Sequence, residues 1–169
     1  GICCSVWNNL ITNSGRADFA VAPITVGPTY IVRNIVITNH RVAGGTGVKA
    51  GSGGSGFVKF YHNTWSVNNV DAIVGPAYGN SPSSTNVEFL NNIMHWRSGG
   101  RGYIVEFGSN PVDGINFNYN CMYSLANNPI KWPAGVQTNW AAWRAASGYE
   151  ANGIWADPML VDIATNDAR

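Results

Sequence analysis

A chain of 169 residues is long enough to fold as one domain around its own core. Its 11% charged residues and net charge of +1 leave no basic field for nucleic acid and no acidic tail, while 45% apolar and 12% aromatic content exclude wholesale disorder. Much of the polar remainder is Gly, Ser, Thr and Asn, which favours bends over helical ion pairs.

The opening "GICCSVW" is already strand-like. It lacks the basic-then-apolar form of a secretion signal, and no run reaches the roughly 18 apolar residues of a membrane helix. The beginning therefore reads as a cut inside a longer architecture. Cys3, Cys4 and Cys121 form no CxxC metal spacing. Neighbouring Cys3 and Cys4 point to opposite faces of a strand, which leaves a Cys4–Cys121 bridge open beside buried or half-buried thiols.

Five segments share one pattern. "CSVWNNLI" (4–11), "IVITNHRV" (35–42), "VKFYHNTW" (58–65), "VEFLNNIM" (87–94) and "INFNYNCM" (115–122) align Asn9, His40, Asn63, Asn92 and Asn120, at spacings of 31, 23, 29 and 28. Apolar residues alternate before the aligned position and resume two residues after it, so each segment reads as two short strands joined by a bend. Asn suits such a bend because it tolerates left-handed backbone and carries both donor and acceptor atoms. Each segment is followed by a Gly-, Asn- or Ser-rich stretch and a further apolar run: "DFAVA" (18–22), "GVKAG" (47–51), "AIVGP" (72–76), "YIVEF" (103–107) and "PIKWP" (129–133). The "GSGGSG" at 51–56 lacks the Lys and Ser/Thr of a phosphate loop and reads as a flexible connection.

Three short strands per repeat is the layout of an all-β parallel β-helix, here of about five coils. With coils ~4.8 Å apart, the bend residues Asn9, His40, Asn63, Asn92 and Asn120 would form a hydrogen-bonded ladder. The coils occupy residues 1–125. Residues 126–169 hold the last coil, a short helix and a C-terminal segment. Within them "NWAAWRAAS" (139–147) is the one convincing helix, capped by Thr138 or Asn139 and closed by Gly148. Trp140 and Trp143 share a face, either as a sugar platform or, more simply, packed on the stack. "IWADPMLVD" (154–162) reads as a strand broken by Pro158, with Asp157 capping the turn.

These segments resemble the right-handed parallel β-helix superfamily of pectate-lyase-like proteins, over roughly residues 1–125. The stretch "TNWAAWRAASGYEANGIWADPMLVD" (138–162) resembles the C-terminal portion of bacterial β-helix repeat proteins of this type. The resemblance implies a carbohydrate-binding or carbohydrate-active protein, a polysaccharide lyase or glycoside hydrolase, found outside the cell or in the periplasm. A non-catalytic structural or adhesin-type module is the alternative. It also implies ligands along the outer face of one sheet, the one holding the third apolar run of each repeat. Alternation there puts Val48, Ala50, Val105, Phe107, Ile130 and Trp132 inward and Lys49, Val74, Glu106 and Lys131 outward. Lys49 or Lys131 could serve as the base of a lyase, with Arg97 or Arg101 holding a substrate carboxylate. Glu106 and Asp71 are the carboxylate pair a hydrolase would need. Tyr78 lies in an adjoining loop. Lys131 and Glu106 also read as a plain surface ion pair. His62 reads as a bend residue and His95 as an isolated outward histidine. No resident cofactor is expected, apart from calcium in a lyase. Polysaccharide is the expected ligand, not nucleic acid or membrane, and a further chain, domain or copy is expected over the open coil ends.

Overall fold

The computed structural model of the chain describes residues 4–12, 17–21, 28–38, 46–50, 58–68, 72–76, 87–97, 103–107, 114–125 and 129–160. It is built mainly of short strands in parallel sheets, with one short helix. The strands come in rows of three. The first row is β1 (Cys4–Trp7), β2 (Leu10–Thr12) and β3 (Ala17–Val21), and the second is β4 (Thr29–Val32), β5 (Ile35–Thr38) and β6 (Thr46–Ala50). The third is β7 (Val58–Tyr61), β8 (Thr64–Val67) and β9 (Ala72–Pro76), and the fourth β10 (Val87–Leu90), β11 (Ile93–Trp96) and β12 (Tyr103–Glu106). The fifth is β13 (Ile115–Asn118), β14 (Cys121–Ser124) and β15 (Ile130–Trp132). After it come β16 (Gly135–Gln137), α1 (Trp140–Ser147) and β17 (Ile154–Trp155).

Each row sends one strand to each of three sheets. The first sheet runs β1-β4-β7-β10-β13, the second β2-β5-β8-β11-β14-β17, and the third β3-β6-β9-β12-β15-β16. All pairings are parallel except β15 with β16, a hairpin that ends the third sheet. Equivalent residues therefore lie over one another. One column of the first sheet is Val6, Ile31, Phe60, Phe89 and Phe117. One of the second is Ile11, Val36, Trp65, Met94, Met122 and Trp155. The residues of these columns from the second to the fifth row are buried. Phe60, Phe89 and Phe117 stack nearly parallel, with centroids 4.5 and 4.8 Å apart, because the strand spacing is close to the stacking distance of aromatic rings.

The bend between the first two strands of each row is held by an amide ladder. Asn9, Asn34, Asn63, Asn92 and Asn120 stand in single file. The side-chain Nδ2 of each of the first four donates to the Oδ1 of the next, at 2.9, 3.0, 3.1 and 2.9 Å. Their backbone N–H groups donate to the same oxygens at 3.1, 3.0, 2.9 and 2.8 Å. From Asn34 onward Nδ2 makes a second bond, to a carbonyl of the preceding row: Val6, Ile31, Phe60 and Phe89 in turn. Each buried amide is thus fully used, which is what makes burying it tolerable.

Two expectations are corrected here. The second rung is Asn34, not His40, which lies outside the described residues. The register pairs Thr29–Val32 with Cys4–Trp7, so "TYIVRNIVI" carries the bend and Ile35–Thr38 belongs to the second sheet. An Arg stands before this Asn where the other rungs have Asn, His or Tyr. Nor are the ladder asparagines left-handed. Positive φ falls on the exposed residue just before each: Asn8, Arg33, His62, Asn91 and Tyr119, at 55–58°. The left-handed residue turns the chain while the next one aims its amide inward. Four of these residues also donate their N–H to the following row, at Val32, Tyr61, Leu90 and Asn118. His62 is accordingly a bend residue.

The C-terminal end of the stack is closed by the chain itself. Asn139 caps α1 by accepting from the Ala142 N–H at 2.9 Å, and Gly148 ends it at φ 74°. Trp143 is fully buried and sits edge-on to Phe117 and Trp132, at 5.8 and 5.9 Å, so it plugs the interior and is no sugar platform. Trp140 leans on Trp143 and Trp155. Glu150 ends the ladder: its carboxylate accepts from the N–H and the Nδ2 of Asn120. A Cβ at Gly153 would lie 2.0 Å from Glu150 Oε2, so any side chain there would displace the carboxylate that ends the ladder. Asp157 accepts from the Met159 N–H at 2.9 Å, closing the turn around Pro158.

Two outcomes follow from the ladder. Asn92→Ala strands the backbone N–H of Asn63, takes one acceptor from its Nδ2, removes the Asn92 donor from the Phe60 carbonyl and leaves the Asn120 oxygen one donor of two, and should cost roughly 3 kcal/mol or more. Asn9→Ala, at the exposed end, should cost under about 1 kcal/mol; urea unfolding of the two variants checks the difference. Burial pushes the Glu150 carboxyl up to about 7, against the hydrogen bonds from Asn120 and the charge of Arg144. Its pKa in the unfolded chain is about 4.3, so between that value and about 7 the folded state holds a proton that the unfolded state has lost. Stability should therefore fall as pH rises through this window, by roughly 3 kcal/mol from this group, and level off above it. Glu150→Gln should remove that slope in urea midpoints measured from pH 4 to 8.

Candidate functional site

The third sheet brings part of the expected set together. Glu106 ends β12 and Lys131 lies in β15, where they are direct register partners. Lys131 Nζ donates to Glu106 Oε1 at 3.0 Å and lies 5.9 Å from the centre of the Tyr103 ring. Both charged side chains keep contact with water, at 41% and 25% exposure, so the pair adds little to stability. The hydrogen bond and charge of Glu106 hold the Lys131 ammonium above its ordinary pKa, burial opposing. Glu106 thus keeps Lys131 protonated. Beneath them Val105, Phe107, Ile130 and Trp132 are buried as alternation requires.

Lys49 lies in β6 of the same sheet, with Gly75 of β9 as its register partner. Val74 pairs with Val48 and Val105, so the position beside Lys49 is Gly75 and not Val74. Asp71, Tyr78 and Arg101 lie outside the described residues, as does "GSGGSG". Arg97 follows β11 and thus stands on the second sheet, away from the strands of Glu106 and Lys131. Its guanidinium is half-buried and donates to the Ser66 carbonyl at 3.2 Å.

Two polar groupings escaped the sequence reading. On the first sheet, Lys59 and Glu88 are register partners joined at 2.6 Å, and the Tyr61 hydroxyl donates to the same Glu88 oxygen at 2.6 Å. Burial pulls the Glu88 carboxyl upward, but the bonds from Lys59 and Tyr61 outweigh it and hold the group below its usual range. Tyr61 is held well above the usual phenol range, first by burial and then by Glu88. Aligning the outward positions of successive repeats would have shown Lys59 over Glu88. On the second sheet, Ser66 and His95 are register partners, and both are buried although alternation turns them away from the core. Neither the Ser66 Oγ nor the His95 Nδ1 has a hydrogen-bond partner. His95 leans on the Tyr123 ring at 5.7 Å. Burial lowers its pKa, Asp157 opposes and Arg97 adds, so it is neutral near pH 7. Nothing in the sequence signals this covering.

Cys121 is a free thiol, half-buried, with Sγ 3.4 Å from the Ala156 carbonyl. Burial and the Asp157 charge raise its pKa despite that hydrogen bond. Cys4 lies on another sheet at the far end of the stack, so the two cysteines are not bridged. Among the described residues no three His, Cys, Asp or Glu side chains group as metal ligands, and no helix is long and apolar enough to cross a membrane.

No protein-family model matches the chain, and neither the curated proteins nor the solved structures give a match.

Proposed function

We propose that the rows wind as a right-handed parallel β-helix of the pectate-lyase-like kind and that the outer face of the third sheet binds polysaccharide. The return of every third strand to the same sheet and the single file of asparagines support the winding. One observation carries the binding reading: the Tyr103 ring, the Lys131 ammonium and the Glu106 carboxylate lie together on neighbouring strands over a rigid apolar floor. A ring with an apolar face, a cation and an acceptor is the set that grips a sugar ring, its carboxylate and its hydroxyls. This role places the protein outside the cell or in the periplasm.

The same geometry favours binding over lysis or hydrolysis. A lyase base must shed its proton, whereas Glu106 holds the proton on Lys131. A hydrolase pairs two carboxylic acids, whereas the partner of Glu106 here is an ammonium.

Calorimetric titration with an acidic uronate polymer and with a neutral glucan tests the reading. The acidic polymer should bind, and Lys131→Ala and Tyr103→Ala should each weaken it about tenfold, some 1.4 kcal/mol, with circular dichroism unchanged. Glu106→Gln should bind as well or better, because it frees the ammonium. Absence of binding to either polymer, or variants that bind like the parent, would overturn the proposal. A rise in ultraviolet absorbance from unsaturated ends would replace it with a lyase.

A further inference from the structure

The second sheet turns a block of four polar side chains away from the core. Ser66 of β8 and His95 of β11 are register partners. Asn68 follows β8 and Arg97 follows β11. The Arg97 N–H donates to the Val67 carbonyl at 2.9 Å, so the same register continues and sets Asn68 beside Arg97. Alternation puts all four on the outward face. That face is nonetheless covered. Ser66 is 0% and His95 8% exposed, and Asn68 and Arg97 are half-buried.

Three atoms of this block have no hydrogen-bond partner: Ser66 Oγ, His95 Nδ1 and Asn68 Oδ1. Buried polar atoms are almost always paired, so a covered block of this kind is shaped for something the chain does not supply. A single water does not suffice. Strands lie ~4.8 Å apart and alternate residues of one strand ~6.6 Å apart. A water bridging two groups spans about 5.6 Å. It joins Ser66 to His95 across the strands but does not also reach Asn68 along β8.

The atoms on offer define the ligand. The Ser66 hydroxyl and the His95 imidazole can each donate. Arg97, which donates to the Ser66 carbonyl at 3.2 Å, brings positive charge to the same edge. Together they suit a carboxylate. Asn68 Oδ1 only accepts, and so suits a hydroxyl. The charge of Arg97 disfavours a metal ion, and one neutral acceptor is too little for an ammonium group. His95 feels Arg97 from its own strand and the opposite charge of Asp157 from the segment after β17, and it leans on the Tyr123 ring of β14.

We infer that this block binds a small 2-hydroxycarboxylate, with the carboxylate on Ser66, His95 and Arg97 and the hydroxyl on Asn68. The site stands on a different sheet from Tyr103, Glu106 and Lys131 and does not rest on the polysaccharide reading. The cover over Ser66 and His95 leaves it to a free small acid and not to a unit within a polymer.

Calorimetric titration of the whole chain with glycolate, acetate and glycine tests this. Glycolate should bind saturably. Acetate, which lacks the hydroxyl, should bind about tenfold more weakly, and so should glycine, which carries an ammonium in its place. Ser66→Ala should weaken glycolate at least tenfold, with a urea midpoint no lower than the parent's because a buried unpaired hydroxyl is removed. Asn68→Ala should erase the difference between glycolate and acetate. Lys131→Ala should leave glycolate binding unchanged, and Ser66→Ala should leave any binding of the uronate polymer unchanged, so the two readings stand or fall separately. No saturable binding of glycolate, equal affinities for glycolate and acetate in the parent, or undiminished binding by Ser66→Ala would each refute the inference and leave the block to ordered water.

Discussion

One hydrogen-bonded file governs this molecule. A bend between two buried strands leaves backbone groups that cannot reach a neighbouring strand, and burying them unpaired would cost several kcal/mol per row. The asparagines remove that cost by pairing each rung with the next through both side-chain and backbone N–H groups. Because each rung needs the one beside it, register is set for all rows at once. A slip of one residue would break every rung and turn the core columns outward.

The core follows from that register. With rows ~4.8 Å apart, identical residue types at equivalent positions meet face to face, and Phe60, Phe89 and Phe117 use the spacing directly. A column of this kind has no natural end, so its ends must be made. The C-terminal end is made from Trp143 and Glu150, the first sealing the interior and the second supplying two acceptors to the last Asn. The polarity of the ladder makes the ends inequivalent, donors pointing one way and acceptors the other.

The surface obeys a different logic. Outward positions are stacked by the same register, so a charge on one row meets whatever the next row presents. Lys59 over Glu88 and Glu106 over Lys131 are the result, two neutralised pairs instead of a field. Charges tied in this way are poorly placed to transfer protons, and this is why recognition and not catalysis is proposed for the third sheet.

The repeat, the alternation, the asparagine at the bend, the capped helix from Trp140 to Ser147 and the burial of Trp143 were all legible in the residues, because local spacing and capping chemistry depend on near neighbours in the chain. The second rung was not, since two overlapping stretches, 29–38 and 35–42, both show apolar alternation and an Asn or His. Strand pairing alone chose Asn34. The left-handed positions were also misplaced by one, because composition shows that a bend needs a permissive residue without showing which residue turns. Sequence by itself determined that this chain is a stack of short strands with polar bends. Only the tertiary structure decided which outward residues meet, that Ser66 and His95 are covered, and that Glu150 ends the file, since each rests on contact between residues some 25 to 30 positions apart, a separation at which no local propensity acts.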